Sequence, residues 1–270
     1  MSVEIENFHK TVISFYETGK RNFPWRGNIS PWGIMVSEFM LQQTPVERVI
    51  PFWEKWMNRW PSIKDLAGAS MADVLAEWNG LGYNRRGYFL KRSAEMIVHY
   101  YDGRVPGVPQ NLLPLPGIGA YMAGAIACFA YNYPSVFIET NIRSAVLHNF
   151  FVGQYNVKDK DIMPILDMAM DRKNPRKWYY ALMDYGADIK KKNVNPDRRS
   201  AHYKQQSPFK GSFRQARGKI LKTLITTGSG NVEELCMMTS IEMDQLCKAL
   251  LILKKESLIY ETGGIYRIVY

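Results

Sequence analysis

From Phe8 to Tyr185 the apolar residues of this chain recur three and four apart in runs broken by Pro, Gly or Asn. Nowhere before residue 255 do they alternate as a half-buried strand requires. That spacing leaves the first region, about 200 residues long, one building block, the amphipathic helix. It predicts helices over 8–15, 46–56, 71–78, 89–99, 120–130, 142–151 and 178–185. Ser70 followed by Asp73 reads as a capping box at the start of the 71–78 helix. With 270 residues, 46% of them hydrophobic and seven of them Trp, the chain has apolar surface for about two domains, which excludes overall disorder.

The longest uncharged stretch, Val105 to Ile138, is interrupted by five prolines. Its apolar block, Gly117 to Ala130, falls short of the 18–20 residues a membrane span needs. The N-terminus carries acidic residues instead of a secretion signal, so the expected location is the cytoplasm, beside the nucleoid of a bacterial or archaeal type of cell. Cys128, Cys236 and Cys247 are too few and too scattered for a disulfide frame or a metal-ligand pair.

Lys and Arg exceed Asp and Glu by ten, and nearly all of that excess sits in one place. Between Asp188 and Lys222 eleven basic residues, Lys210 among them, face two acidic ones, a local net charge of +9. The stretch KKKNVNPDRRSAHYKQQSPFKGS has no periodicity and many turn formers. It reads either as a solvated linker or as a surface that neutralises phosphates. Beyond it, 215–226, 231–238 and 241–255 read as three short helices, and LIYETGGIYRIVY as two strands around a Gly263-Gly264 turn. Three helices and a hairpin make a winged-helix-like α+β plan, which serves either DNA contact or partner packing.

Three segments carry chemistry. LPLPGIGAYMAGAI, 113–126, pairs a helix-ending Pro run with Gly117 and Gly119 ahead of an apolar helix. Such a turn either exposes backbone N–H groups to one phosphate or is merely structural. VFIETNIR places Glu139 and Asn141 just before a helix. SEFMLQQTPVERV carries a single carboxylate, Glu38, in an apolar run. That carboxylate either reaches solvent or holds a proton at raised pKa. Two carboxylates, one protonated and one ionised, are what cleavage of a glycosidic bond requires.

FPWR (23–26), SEFMLQQT (37–44), GLGYNRR (80–86), LPGIGAYMAGAI (115–126) and ALMDYGAD (181–188), in this order, resemble the MutY-type adenine DNA glycosylases. These form a branch of the helix-hairpin-helix superfamily that includes endonuclease III. The likeness covers residues 5–190 and implies an all-α helix-hairpin-helix glycosylase fold with two lobes over 1–205. A six-helix barrel would occupy about 20–130 and the second lobe 1–19 and 131–205, followed by a winged-helix-like domain over 206–270. It also implies a monofunctional enzyme of base excision repair, acting as a monomer on double-stranded DNA that contains a mismatch or damaged base.

On this resemblance Glu38 matches the general acid that protonates the flipped purine at N7. Tyr121 matches the tyrosine that helps hold the catalytic groups, where bifunctional relatives carry lysine, so no Schiff base is expected there. Glu139 stands where the family has Asp beside the sugar cation, and Asn141 retains its match. Trp25, Arg26, Val46 and Asp184 match the base pocket. Gln43 and Tyr83 match residues that wedge into the duplex. Gln42, Thr44, Arg85, Arg86, Gly117, Gly119, Lys190, Lys191, Lys192, Arg198 and Arg199 complete the expected DNA contacts.

The family's four cysteines for a [4Fe–4S] cluster are missing, since no Cys occurs from 129 to 235 and Lys190 stands at the first-cysteine position. No iron–sulfur cluster and no other cofactor is expected. The C-terminal segment does not resemble the family's 8-oxoguanine-recognition domain. Adenine opposite guanine or 8-oxoguanine is the expected target. Thymine or uracil opposite guanine, and mismatch binding without catalysis, are the alternatives.

Overall fold

A computed structural model describes residues 2–27, 29–205, 208–209 and 211–269; Gln206, Ser207 and Lys210 of the basic stretch lie outside them. In chain order the helices are α1 (Val3–Gly19), α2 (Pro31–Leu41), α3 (Val46–Arg59), α4 (Ile63–Gly68), α5 (Met71–Trp78), α6 (Arg85–Tyr100) and α7 (Pro109–Leu112). They continue with α8 (Ala120–Tyr131), α9 (Thr140–Phe150), α10 (Asp159–Ala169), α11 (Pro175–Lys192), α12 (Phe213–Thr227), α13 (Val232–Thr239) and α14 (Met243–Lys255). One antiparallel hairpin follows, β1 (Ile259–Thr262) and β2 (Ile265–Ile268). Among the described residues no helix is long and apolar enough to cross a membrane.

All seven helices predicted before the basic stretch are present, most of them longer than the spacing showed. Four were missed: α2, α4, α7 and α10. The gap at α2 has a clear cause, because every residue from Trp32 to Met40 is buried. A helix apolar all round has no polar face against which a period can register. The Ser70 cap forms only in half. Its hydroxyl accepts the Asp73 N–H, but the Asp73 carboxylate turns to the Ser70 hydroxyl and to Arg59. Complete boxes stand instead at Ser62/Asp65 and Asn231/Glu234.

The chain forms two compact units. The first comprises residues 1–35, 106–114 and 118–205. Here α11 packs along α9, and α1 packs on α11 and α10. Phe8 sets its ring edge against Phe150 and Trp178, and Tyr179 stacks on Phe137 at 3.9 Å.

Of the two readings of 190–212, a solvated linker and a phosphate-neutralising surface, the stretch departs from the first over 190–201. Its first residues end α11, Pro196–Arg199 form a 3-10 turn, and Pro196, Asp197 and Ser200 are buried. Arg143 explains the anchorage. Its guanidinium holds Asp159 at 2.8 and 2.9 Å and Asp197 at 3.3 Å. The Ala201 N–H then meets the Val157 carbonyl at 2.9 Å.

The second unit comprises residues 36–105, 115–117 and 206–270. Helices α4 and α5 flank α6, and Trp56 meets Trp78 edge to face at 5.3 Å. The C-terminal helices α12, α13 and α14 pack on one another and on the hairpin, and α12 also packs on α5. Gly263 and Gly264 both take positive φ, as a two-residue hairpin turn demands.

Candidate functional site

In the first unit the site starts at the N-terminus of α9, where Glu139 is the N-cap. Its carboxylate folds back over its own helix, and Oε1 accepts the N–H groups of Asn141 and Ile142, both at 2.8 Å. Oε2 accepts from Asn141 Nδ2 at 3.2 Å and from the Thr140 hydroxyl at 3.1 Å. Four donors and the positive end of the helix dipole therefore converge on one carboxylate. Asn141 is tied in turn, its Oδ1 accepting from Lys190 Nζ at 3.2 Å. Tyr121, half-buried near the start of α8, lays its ring edge against Phe137 at 5.9 Å.

The same unit gathers three of the four expected base-pocket residues. Trp25 is buried and stacks on Phe23. Arg26 runs over the Phe23 and Tyr180 rings and donates from Nη1 to Asp184 Oδ2 at 2.7 Å. Asp184 has no exposed side-chain surface and also accepts from the Arg21 backbone at 2.9 Å and Arg21 Nε at 2.6 Å. Two guanidiniums thus neutralise one buried carboxylate, the arrangement that makes such a charge tolerable. Arg21 is a residue that motif reading missed.

In the second unit Glu38 is 5% exposed on α2, beside buried Phe39 and Met40. The turn that follows α2 is built around Arg86. That guanidinium donates to the carbonyls of Phe39 at 3.1 Å, Met40 at 2.7 Å and Gly82 at 3.0 Å, to Thr44 Oγ1 at 3.1 Å, and to the Gln42 carbonyl. Burial pulls its pKa down to about 10. Arg86, expected on the DNA surface, is therefore an internal brace joining the turns that carry Gln43 and Tyr83; sequence shows its charge but not its burial.

Both of those residues hold left-handed backbone, at φ 52° and 50°. Neither is Gly, Asn or Asp, so both positions are strained, and strain of this kind concentrates where function requires it. Gln43 is exposed, Gln42, Thr44, Val46 and Tyr83 are half-buried, and Arg85 is exposed with its guanidinium over the Phe89 ring. Gly117 takes φ 79°, and a Cβ there would stand 2.8 Å from the Phe89 side chain. The Ser93 hydroxyl pins this turn through the Pro116 carbonyl at 2.8 Å. In the first unit Gly119 is the exposed N-cap of α8 and offers no side-chain cap.

Of the basic residues expected on phosphate, Lys191 and Arg198 are exposed, while Lys192 pairs with Asp188 at 2.9 Å. Arg199 is committed elsewhere. Its guanidinium caps the C-terminus of α9 through the carbonyls of Leu147 at 2.8 Å and Phe151 at 2.5 Å. Among the described residues no three His, Cys, Asp or Glu side chains could hold a metal together, and Arg143 with its carboxylates occupies this part of the chain.

Residues 36–180 match the HhH-GPD superfamily of base excision DNA repair proteins. The chain is 38% identical over 232 residues to the adenine DNA glycosylase of Mycolicibacterium smegmatis, covering 79% of this chain and 78% of that relative. A thermostable thymine-DNA glycosylase superposes with a TM-score of 0.62 at 24% identity, over 68% of this chain and 86% of its own. Endonuclease III in a non-covalent DNA complex gives 0.59 at 14% identity, over 77% and 91%. At these identities the structural likeness is one of fold, and the specific assignment comes from the sequence match. The chain belongs to the helix-hairpin-helix superfamily of base excision DNA repair proteins, as a DNA glycosylase of the adenine DNA glycosylase family.

Proposed function

We propose that this protein extrudes an adenine mispaired with guanine or 8-oxoguanine from duplex DNA and hydrolyses its N-glycosidic bond. The observation that carries the reading is the Glu139 carboxylate, held by four donors at the head of α9. Breaking a glycosidic bond develops positive charge on the sugar, and an anion that need not reorient stabilises that charge most effectively. Glu139 takes this role. Its extra methylene relative to Asp is absorbed by folding back onto the cap.

Glu38 supplies the proton. Unprotonated adenine would have to depart as an anion, a poor leaving group, whereas protonation at N7 lets it depart as the neutral base. Burial on α2 suits a carboxyl that must deliver a proton to a base and not to water. Tyr121 offers no amine for a Schiff base, so water completes the reaction and the strand is left uncut. On this reading Trp25, Arg26 and Asp184 of the first unit and Val46 of the second each contact the extruded base, Gln43 and Tyr83 fill the gap in the duplex, Gln42, Thr44, Arg85, Gly117, Gly119, Lys191 and Arg198 meet the backbone, and Lys190 holds Asn141. No step passes through a metal cluster.

Single-turnover base release from duplexes carrying each mispair tests the reading. Release of adenine opposite guanine or 8-oxoguanine, abolished in Glu38→Gln, is expected. Release of thymine or uracil instead, or tight mismatch binding with no release from any duplex, would replace it.

A further inference from the structure

Three consecutive lysines end α11, as the negative end of a helix dipole favours, but their side chains do different things. Lys191 is exposed, and Lys192 pairs with Asp188 at 2.9 Å. Lys190 is half-buried and donates to Asn141 Oδ1 at 3.2 Å, the one side-chain acceptor it meets among the described residues. Gly186 lies one helical turn earlier on the same face of α11, where the lack of a Cβ lets the backbone close on the Asn141 carbonyl. One face of α11 therefore grips one residue of α9 twice, its main chain at Gly186 and its side chain at Lys190.

An asparagine amide can present either its oxygen or its NH2 edge to a neighbour, whereas a lysine ammonium only donates. Oδ1 must therefore face Lys190. The opposite edge is left for Glu139, and Asn141 Nδ2 donates to its Oε2 at 3.2 Å. The other donors to that carboxylate, the Asn141 and Ile142 N–H groups and the Thr140 hydroxyl, all belong to the first turn of α9. Among the described residues Lys190 is thus the group outside α9 that acts on the carboxylate, through one amide. Hydrogen bonds in series polarise one another, so a cation at the far edge of the amide strengthens the bond at the near edge.

We propose that Lys190 is a positioning residue for base release. It fixes which edge of the Asn141 amide meets Glu139, and so holds the carboxylate in the attitude in which it stabilises the sugar cation. The assignment rests on the role given to Glu139 above. It moves Lys190 from the phosphate surface to a place behind the catalytic carboxylate.

The test reads single-turnover base release and duplex affinity in the full chain carrying Lys190→Met, which keeps the reach of the stem and removes the charge and the donors. Release should slow about tenfold, less than the roughly hundredfold that displacing a catalytic group by about 1 Å can cost. Affinity for a duplex whose target adenosine carries a 2′-fluoro group to resist cleavage should hold, and so should its salt dependence. A lysine on phosphate would instead flatten the slope of log affinity against log salt by about 0.9. Lys190→Arg keeps charge and donors and should recover most of the lost rate. Asn141→Ala cuts the relay at its middle, so Lys190→Met added to it should slow release no further.

Full release in Lys190→Met, a flattened salt slope, no recovery in Lys190→Arg, or additive losses in the double variant overturns the assignment and leaves the glycosylase reading standing. Absence of release from every duplex, or full release in Glu139→Gln, removes the reading on which the assignment rests.

Discussion

Gly186 on α11 approaches α9 so closely that a Cβ there would stand 2.0 Å from the Asn141 carbonyl oxygen and 2.7 Å from its carbon. The approach is backbone against backbone, so no flexible side chain can yield. It sets the first turn of α9, and with it the carboxylate of Glu139. Gly186→Ala is therefore expected to force the two helices apart, at about 1–3 kcal/mol of stability, the range for overpacked cores. A domain of this size should then lose roughly 2–4 °C in Tm for each kcal/mol. Base release should fall further than stability, since displacing a catalytic group by about 1 Å can slow a reaction about a hundredfold. Calorimetry with single-turnover kinetics checks both, and an unchanged Tm would show that α9 can shift freely.

Glu139 separates structural from chemical roles. Glu139→Gln keeps the length of the side chain and loses the charge. About 1 kcal/mol of capping stability is expected to go with it, and single-turnover release to slow by a hundredfold or more. Glu139→Asp places a shorter carboxylate on an N-cap that Asp occupies readily. Because the glutamate already lies folded against Asn141 and Ile142, the Asp variant should stay within about tenfold of the unaltered rate. A collapse in Glu139→Asp equal to that of Glu139→Gln would mean that the extra methylene is used to reach the substrate.

What could be read in advance followed the physics of each signal. Half-exposed helices such as α3 and α5 announced themselves by period, and the Gly263-Gly264 hairpin by its turn chemistry. Glu38 was visible because a carboxylate in an apolar run is anomalous, although the helix beneath it was not. Charge was the weakest guide. Arg86, Arg199 and the exposed Arg198 look alike as letters, yet the first braces two turns, the second caps α9, and only the third faces solvent. Burial decides between these roles, and it depends on long-range packing that local sequence does not encode.

That difference is measurable in the basic stretch. Lys191→Gln with Arg198→Gln removes two exposed cations proposed to face phosphate and should flatten the salt dependence of duplex binding by roughly 1.8 in slope. Stability should move by less than about 0.5 kcal/mol, as for exposed substitutions. Arg199→Gln should do the reverse. Two helix carbonyls lose their donors, at about 1–3 kcal/mol, with the salt slope intact. A flattened slope in Arg199→Gln would place that side chain on phosphate after all.

Arg86 makes a prediction in pH. Its folded pKa, about 10, lies below the ordinary arginine value because burial disfavours the charged form. The unfolded chain therefore binds the proton more tightly, and stability rises with pH only above about pH 10. Between pH 6 and 9 this residue contributes no pH dependence. In Arg86→Lys the ammonium starts from a lower pKa and meets the same burial, so its titration moves towards neutrality. One ammonium also cannot span the acceptors that the guanidinium reaches. Denaturant unfolding should show Arg86→Lys destabilised by about 2–4 kcal/mol at pH 7 and partly recovering towards pH 9. A flat profile in that variant would mean that the lysine escapes to water.

The strained pair offers the sharpest separation of function from stability. Left-handed backbone at Gln43 and Tyr83 disfavours each residue by about 1 kcal/mol, and glycine removes that penalty while adding a similar entropy to the unfolded chain. Gln43→Gly should therefore leave stability within about 1 kcal/mol of the unaltered protein, while Tyr83→Gly should lose about 1 kcal/mol more with the hydrogen bond its hydroxyl accepts from Arg214. Their effect belongs to the duplex. Extruding a nucleotide is uphill by a few kcal/mol, and a side chain filling the gap offsets part of it, so losing either should weaken extrusion at least tenfold, equivalent to about 1.4 kcal/mol. Fluorescence of 2-aminopurine at the target position, which brightens on unstacking, reports extrusion directly. Equal brightening in the unaltered protein and in both glycine variants would show that neither residue wedges the duplex.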